Sequence, residues 1–476
     1  MGTLLVDESI HWMSAGAIAE AVRSRKVSPV EVVEAVLSRI DSVNGRLNAV
    51  VTLCTEEALA TAHKAEQLVM GHHPIGSLHG VPFTVKDSTD TAQVRTTMGS
   101  RLMSAHVPET DAVLVQRLKA AGAILVGKTN LPEFAGKAVT DNLLFGPTRN
   151  PWGLDLTPGG SSGGAAAAVA AGMGPLATGN DAGGSIRIPA SCCGVVGFKP
   201  QFGRVPSYPY FDQWESLSHE GPITRTVEDC ALMLDAMIGT HWGDRHSLPN
   251  PGFHFAARLP TFRSEASVVA SLDLGYARIS RDVETAFRRA VDAMRSLGAQ
   301  VTESEPKLGP FDDILFTLIN AELAAMLAGF EDSDRQAENL HPLLQARLEA
   351  AKSISTRQYV QAGFERRRLS SRFGQFFEPY DLLMTPTLGT SAWRLDATGG
   401  YLSEIDGQAV QGLQWSLCHL FNLTGHPAIS IPWDLSPEGL PIGIQIVGQP
   451  HGDLAVLQAA AALESVRPIR YFRPNL

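Results

Sequence analysis

Two serine sites set the reading of this chain: Pro158-Gly159-Gly160-Ser161-Ser162-Gly163-Gly164 and Asp181-Ala182-Gly183-Gly184-Ser185-Ile186-Arg187-Ile188-Pro189. The alanine-rich segment Ala165 to Ala171 separates them. Glycine on both sides of a serine opens backbone conformations closed to other residues, and lets a second backbone or a substrate approach closely. Seeing this twice, across one short helix, predicts two serines held together in one site.

The surrounding composition narrows the class. The chain has 476 residues, 44% of them hydrophobic and 18% charged, so it can build a large core and is not a disordered chain. Its net charge of −10 argues against a general nucleic-acid surface. The cysteines Cys54, Cys192, Cys193, Cys230 and Cys418 are scattered and odd in number, with no CxxC. They read as reduced thiols of a cytoplasmic protein rather than a disulfide framework or zinc site. The N-terminus meets acidic residues too early for a signal peptide. No apolar run reaches the roughly 18 residues of a membrane span. No His-Glu-x-x-His occurs, so no metal ligands are expected. No phosphate-binding G-x-x-x-x-G-K-[ST] occurs either, and no cofactor is expected.

Along the chain, helices are expected over Ser14–Ser24, Ser28–Ile40 and Thr55–Met70. The second opens with Ser28-Pro29-Val30-Glu31, a capping box with proline at the first helical position. Gly80 to Asp87 holds a short β-rich run with Lys86 at its end. A lysine directly after an apolar run can point into a core, where desolvation favours its neutral form. Helix over Asp111–Ala121 and strand over Ala123–Gly127 follow. Helices are then expected over Thr226–Ile238, Val283–Leu297, Phe311–Ala328, Leu340–Phe377 and Leu454–Glu464. Strands are expected over Val268–Leu274, from Val301, within Tyr380–Thr387, and over Ala428–Pro432 and Ile442–Val447. This alternation predicts an α/β fold.

A serine hydroxyl needs a base to become a nucleophile, and a neutral lysine can serve. With two serines, Lys86 can draw a proton from one as that one draws a proton from the other. Consecutive backbone N–H groups from Ala182 to Ser185 can bind an acyl-transfer oxyanion.

The two serine sites, with Cys193-Gly194-Val195-Val196-Gly197-Phe198-Lys199-Pro200, resemble the amidase signature family of serine hydrolases. The resemblance extends to Gly80-Val81-Pro82 through Lys86-Asp87, Asn150-Pro151-Trp152, Gly221-Pro222-Ile223, Gly425-His426-Pro427-Ala428 and Gly439 to Gln445. It implies one amidase signature domain over 1–476, with a central mixed β-sheet sandwiched between α-helical layers. Within it, 1–75 would form N-terminal helices, about 80–230 the catalytic core, about 240–420 a variable pocket region, and 421–476 the last strands and helix. By position, Ser185 matches the family's nucleophile, Lys86 its base, and Ser161 the bridging serine after a cis peptide bond. Ala182, Gly183, Gly184 and Ser185 match the oxyanion hole. Ser162, Asp181 and Arg187 are supporting residues, the last two bracing the loop. Asn180 stands where the family usually has threonine or serine, a departure read here as one of local loop hydrogen bonding.

The resemblance implies hydrolysis of a carboxamide through a Ser185 acyl-enzyme; an anilide, ester or carbamate (urethane) enters the same chemistry. The expected partners are such a small substrate and water, without nucleic acid or membrane, and a homodimer is the expected assembly. Candidate pocket aromatics are Phe134, Phe145, Tyr208, Tyr210, Phe211, Trp214, Phe316 and Trp415. Two rivals stand beside this reading. Gly159 to Gly163 fits the G-x-S-x-G elbow of an α/β-hydrolase esterase with Ser161 as nucleophile, which requires a strand just before it. A glutamine-hydrolysing amidotransferase subunit would use the same site, but the Arg-Tyr-Asp-Gly run of the tRNA-dependent subunits is absent between Phe311 and Arg368.

Overall fold

A computed structural model describes residues 10–209, 214–309, 311–330, 339–395, 402–468 and 473–476. The expected residues Tyr210 and Phe211 lie outside that set. Thirteen strands are assigned: β1 Val50–Leu53, β2 Pro82–Lys86, β3 Ile124–Thr129, β4 Leu176–Asn180, β5 Val196–Lys199, β6 Glu220–Thr224, β7 Ser267–Ala270, β8 Gln300–Glu303, β9 Leu382–Pro386, β10 Glu404–Ile405, β11 Gln408–Ala409, β12 Ala428–Leu435 and β13 Pro441–Gly448. All but the hairpin β10–β11 join one 11-stranded sheet, ordered β1-β3-β2-β4-β6-β5-β12-β13-β9-β7-β8. The sheet is mixed. β3, β2 and β4 run parallel, as do β9, β7 and β8, while the centre from β4 to β9 is antiparallel.

The helices are α1 Ala15–Arg23, α2 Pro29–Leu47, α3 Thr55–Met70, α4 Val113–Ala120, α5 Gly163–Ala170, α6 Arg187–Cys193, α7 Val227–Met237, α8 Arg281–Ser296, α9 Asp312–Leu327, α10 Pro342–Ala351, α11 Thr356–Phe377, α12 Leu420–Thr424 and α13 Asp453–Val466. The Ser28 and Glu31 capping box of α2 forms as its sequence predicts. The expected single helix Leu340–Phe377 is instead two. Ser355 caps α11, its hydroxyl accepting from Gln358 N–H while the Gln358 side chain accepts from Ser355 N–H. Three strands inside the glycine-rich core, β4, β5 and β6, carry no period-2 signal because both their faces are covered.

Side-chain alternation along the strands builds two cores. Phe83, Val85 and Leu176 join one apolar cluster with residues of α7, α8 and α13. Ala177, Ile223 and Val126 join the other, with α3, α5 and α6. Thr84 and Lys86 therefore face the side where α5 lies. That helix is Gly-Gly-Ala-Ala-Ala-Ala-Val-Ala and is buried throughout. Its small residues let it sit close against its neighbours: a Cβ on Gly164 would lie 2.4 Å from Asn130 N. The same close seating carries Ser161 and Ser162, just ahead of α5, to the end of β2.

Candidate active site

β2 ends at Lys86, whose side chain is fully buried. Its Nζ lies 2.6 Å from Ser161 Oγ and 2.5 Å from Asn180 Oδ1. Burial pushes the lysine down to about 7, against the opposing pull of Glu220 and Asp181. Near neutrality it can thus be an amine with a free lone pair. The peptide bond from Gly160 to Ser161 is cis. Ser162 N–H donates to Ser185 carbonyl at 3.1 Å, which ties the two serine segments together. Ser162 Oγ donates to Asn180 carbonyl at 3.4 Å.

Exposure is graded through the cluster. Lys86 is 0% exposed and Ser161 1%, whereas Ser185 is half-buried and lines an open recess. Ser185 follows β4 through the turn 181–185, and α6 starts two residues after it. Asp181 shapes that turn. Its carboxylate accepts from Gly184 N–H at 2.6 Å, from Ile186 N–H at 3.1 Å, and from Arg187 Nε and Nη2 at 3.0 Å each. Burial alone would raise this carboxyl, but the Arg187 guanidinium holds it well below the usual carboxylate range. Arg187 is itself fully buried and also reaches Cys418 carbonyl, Gln445 and Asn422. Asp181 and Arg187 thus hold the turn 181–185 together.

The expected oxyanion set needs one correction. Gly184 N–H is committed to Asp181, so it is not free for a ligand. The N–H groups of Ala182, Gly183 and Ser185 have no protein acceptor among the described residues. Gly184 serves by its backbone instead: its φ is +108°, and a Cβ there would meet Ile188 at 2.7 Å.

The recess at Ser185 has a volume of about 60 Å³ and is walled by Phe316, Trp415, Trp214, Ile319 and Leu413. Phe316 and Arg347 also line an adjoining outer recess of about 420 Å³. Of the expected pocket aromatics, Phe316, Trp415 and Trp214 are thus present. Phe134 is not: it is fully buried among Met98, Leu323, Leu327 and Leu344, where the backbone at Phe134 takes a left-handed conformation with φ +48°. Tyr208 lies elsewhere too, packed at 5.0 Å on His241 and lining a separate cavity behind Asn180. Two residues bear on the site more directly than the sequence indicates. Asn180 contacts Lys86 directly, so its departure from the family pattern lies at the site itself. His419 lines the recess beside Gly183; burial and then Arg187 press it down to about 3, so its imidazole is neutral. No helical period marks either residue, and Asn180 shows in the sequence only as a departure from the family pattern.

The elbow reading fails on structure. Residues 151–162 contain no strand, and Ser161 is buried rather than presented. Among the described residues no cluster of ligating side chains could hold a metal, and no helix is long and apolar enough to cross a membrane. All five cysteines are buried and unpaired.

The fold and this arrangement define a hydrolase acting on amides. The Amidase family profile matches residues 31–457, and the chain belongs to that family. It is 35% identical to an acylamidase of Rhodococcus erythropolis over 464 residues, covering 98% of this chain and 97% of the relative. It is also 36% identical to a glutamyl-tRNA(Gln) amidotransferase subunit of Moorella thermoacetica over 502 residues, covering 98% of this chain and 99% of that relative. A crystal structure of a bacterial aryl acylamidase of the amidase signature family superposes with a TM-score of 0.91 at 33% identity, covering 98% of this chain and all of the other.

Proposed function

We propose that this amide hydrolase works through an acyl-enzyme on Ser185. Ser161 relays protons to Lys86, and Ala182, Gly183 and Ser185 N–H groups stabilise the oxyanion. In the first step the Ser185 oxygen bonds to the carbonyl carbon. Its proton passes to Ser161 as the Ser161 proton passes to Lys86 Nζ. The C–N bond then breaks, and the leaving nitrogen takes a proton back through Ser161. Water repeats the sequence on the acyl ester and releases the acid. The observation that carries this reading is the buried Lys86 Nζ 2.6 Å from Ser161, with the more open Ser185 tied to the same segment. We read the whole chain as one domain, because one sheet takes strands from Val50 to Gly448. Cytoplasmic residence fits five buried, unpaired cysteines.

The apolar wall at Phe316, Trp415 and Ile319 favours an apolar or aryl group beside Ser185, and the outer recess gives room for the remainder. Amides, anilides, esters and carbamates share the chemistry. The amidotransferase reading draws on the 36% identity to the Moorella protein. Release of nitroaniline from p-nitroacetanilide, and of ammonia from glutamine, separates the two. We expect anilide hydrolysis that Ser185→Ala abolishes. Ammonia from glutamine with no anilide or simple amide turnover would favour the amidotransferase reading.

A further inference from the structure

The proposed base has a second side. Besides Ser161, Lys86 Nζ meets Asn180 Oδ1. Beyond Asn180 lies a polar cavity of about 70 Å³ lined by Ser88, Asn180, Ser207, Tyr208 and Glu220. The β4–β6 register sets Asn180 directly across from Glu220, so the two side chains share one face. Asn180 Nδ2 donates to Ser88 Oγ at 3.4 Å. Glu220 keeps some exposure as a residue, but its Oε2 is buried and has no hydrogen-bond partner among the described residues.

An amide oxygen can only accept. Asn180 Oδ1 therefore takes an N–H of Lys86 in either protonation state. In the neutral amine this engages one N–H and leaves the lone pair available to the Ser161 hydroxyl, 2.6 Å away. We propose that Asn180 and Glu220 are positioning residues for the base: Asn180 aims Lys86 Nζ at Ser161, and the Glu220 carboxyl sets the pH at which the relay starts to run. The proposal rests on the reading of Lys86 as base.

The other charges around Lys86 are already engaged. Asp181, after β4, is bound by Arg187. On β3, Lys128 aligns with Val85 and so points to the opposite face from Lys86; there it donates to Thr89 carbonyl and Thr96 and lies 3.8 Å from Asp87. α5 brings no charged side chain. Asp90 and Glu215 line the same rear cavity with Glu220. Among the described residues, Glu220 thus acts on Lys86 without an ion-pair partner of its own. Burial raises it to about 7 against the pull of Lys86.

The test is the rate at which a fluorophosphonate probe labels Ser185 in the full chain, followed from about pH 5 to pH 9. Removing a carboxylate removes what favours the ammonium. Glu220→Gln should therefore move the midpoint of labelling to lower pH, by on the order of one unit. Asn180→Asp adds a carboxylate against Nζ and should move it up by a similar amount. Asn180→Leu should keep the midpoint within reach of wild type but cut the plateau rate about tenfold, a part of the roughly 100-fold or more that a positioned proton acceptor contributes. Melting curves establish that each variant folds, and Glu220→Gln, nearly isosteric, carries the test alone if the others do not. For Glu220, a merely structural role would scale the rate and leave the midpoint in place. If Lys86→Ala abolishes labelling while Glu220→Gln leaves the midpoint unmoved, this inference is overturned and the base assignment stands. If Lys86→Ala labels at the wild-type rate, the base assignment itself falls.

Discussion

Replacing Arg187 with methionine isolates the brace beneath the Ser185 turn. The guanidinium makes five hydrogen bonds in the fold: two to Asp181, and one each to Cys418 carbonyl, Gln445 and Asn422. Methionine keeps an unbranched stem and loses all five. Asp181 would retain Gly184 N–H, Ile186 N–H and the Asn422 amide, yet would be a buried carboxylate without its ion-pair partner. Breaking a buried ion pair from one side costs about 3–5 kcal/mol, against about 1 kcal/mol for one ordinary hydrogen bond. With five bonds lost and both partners fully buried, we expect a loss of about 4 kcal/mol in urea unfolding. The sign of the pH dependence follows from Asp181. In the native protein its folded pKa lies below the unfolded value, so its contribution is present above that value and is lost as pH falls through the folded one. In Arg187→Met, burial without the guanidinium raises the folded pKa, so acidification from neutrality should narrow the gap to wild type. The double variant Asp181→Asn with Arg187→Met removes both charges and should recover a substantial part of the loss. A single-variant loss below about 1 kcal/mol, or a double variant as unstable as the sum of the singles, would refute the brace.

Further outcomes follow from the same geometry. With Lys86 at about 7, kcat/KM for an anilide should rise with pH through that value, because only the neutral amine accepts a proton; a flat profile with chemistry limiting contradicts the base assignment. The same depressed pKa means the unfolded chain binds the lysine proton more tightly, so Lys86→Met should raise the melting temperature at mildly acidic pH while activity is lost; a lower melting temperature would show that the charge is not a burden on the fold. Gly164→Ala places a Cβ 2.4 Å from Asn130 N and 2.5 Å from its carbonyl oxygen. Both are backbone atoms that cannot swing aside, so a destabilisation of about 1–3 kcal/mol is expected in urea unfolding, and a neutral result would mean that α5 can shift outward. Phe316→Ala opens the wall between the two recesses. It should raise KM for aryl amides about tenfold or more with kcat little changed, and a loss confined to kcat would place Phe316 in the reacting geometry instead.

How much could be read before the fold was known differs by residue. Helices with apolar periodicity announce themselves: α3 runs over the expected Thr55–Met70, whereas α2 starts at its capping box but continues past the expected Ile40 to Leu47. The break between α10 and α11 was also written, in Ser355-Thr356-Arg357-Gln358, but a continuous run of helix formers masks it. The strands β4, β5 and β6 are hidden because glycine and proline at Gly179, Gly197, Gly221 and Pro222 read as turns. In the fold those glycines admit close packing: a Cβ on Gly221 would lie 2.1 Å from Phe198 carbonyl. Lys86, Ser161, Asp181 and Arg187 were legible because their motifs are long. Phe134 was misplaced, since an aromatic near a motif says nothing about the side of the backbone it takes. Asn180 and Glu220 meet Lys86 only through the β2–β4–β6 arrangement, a tertiary fact with no local signature. The loss of Gly184 N–H from the oxyanion set likewise depends on where the Asp181 carboxylate turns.

The central claim is that Ser185 is the nucleophile and Ser161 the relay. The most direct measurement is to react the folded protein with a fluorophosphonate and locate the adduct by peptide mass spectrometry. The account predicts an adduct on Ser185 that disappears in Ser185→Ala. An adduct on Ser161 in the wild-type protein, with Ser185 unmodified, would contradict it.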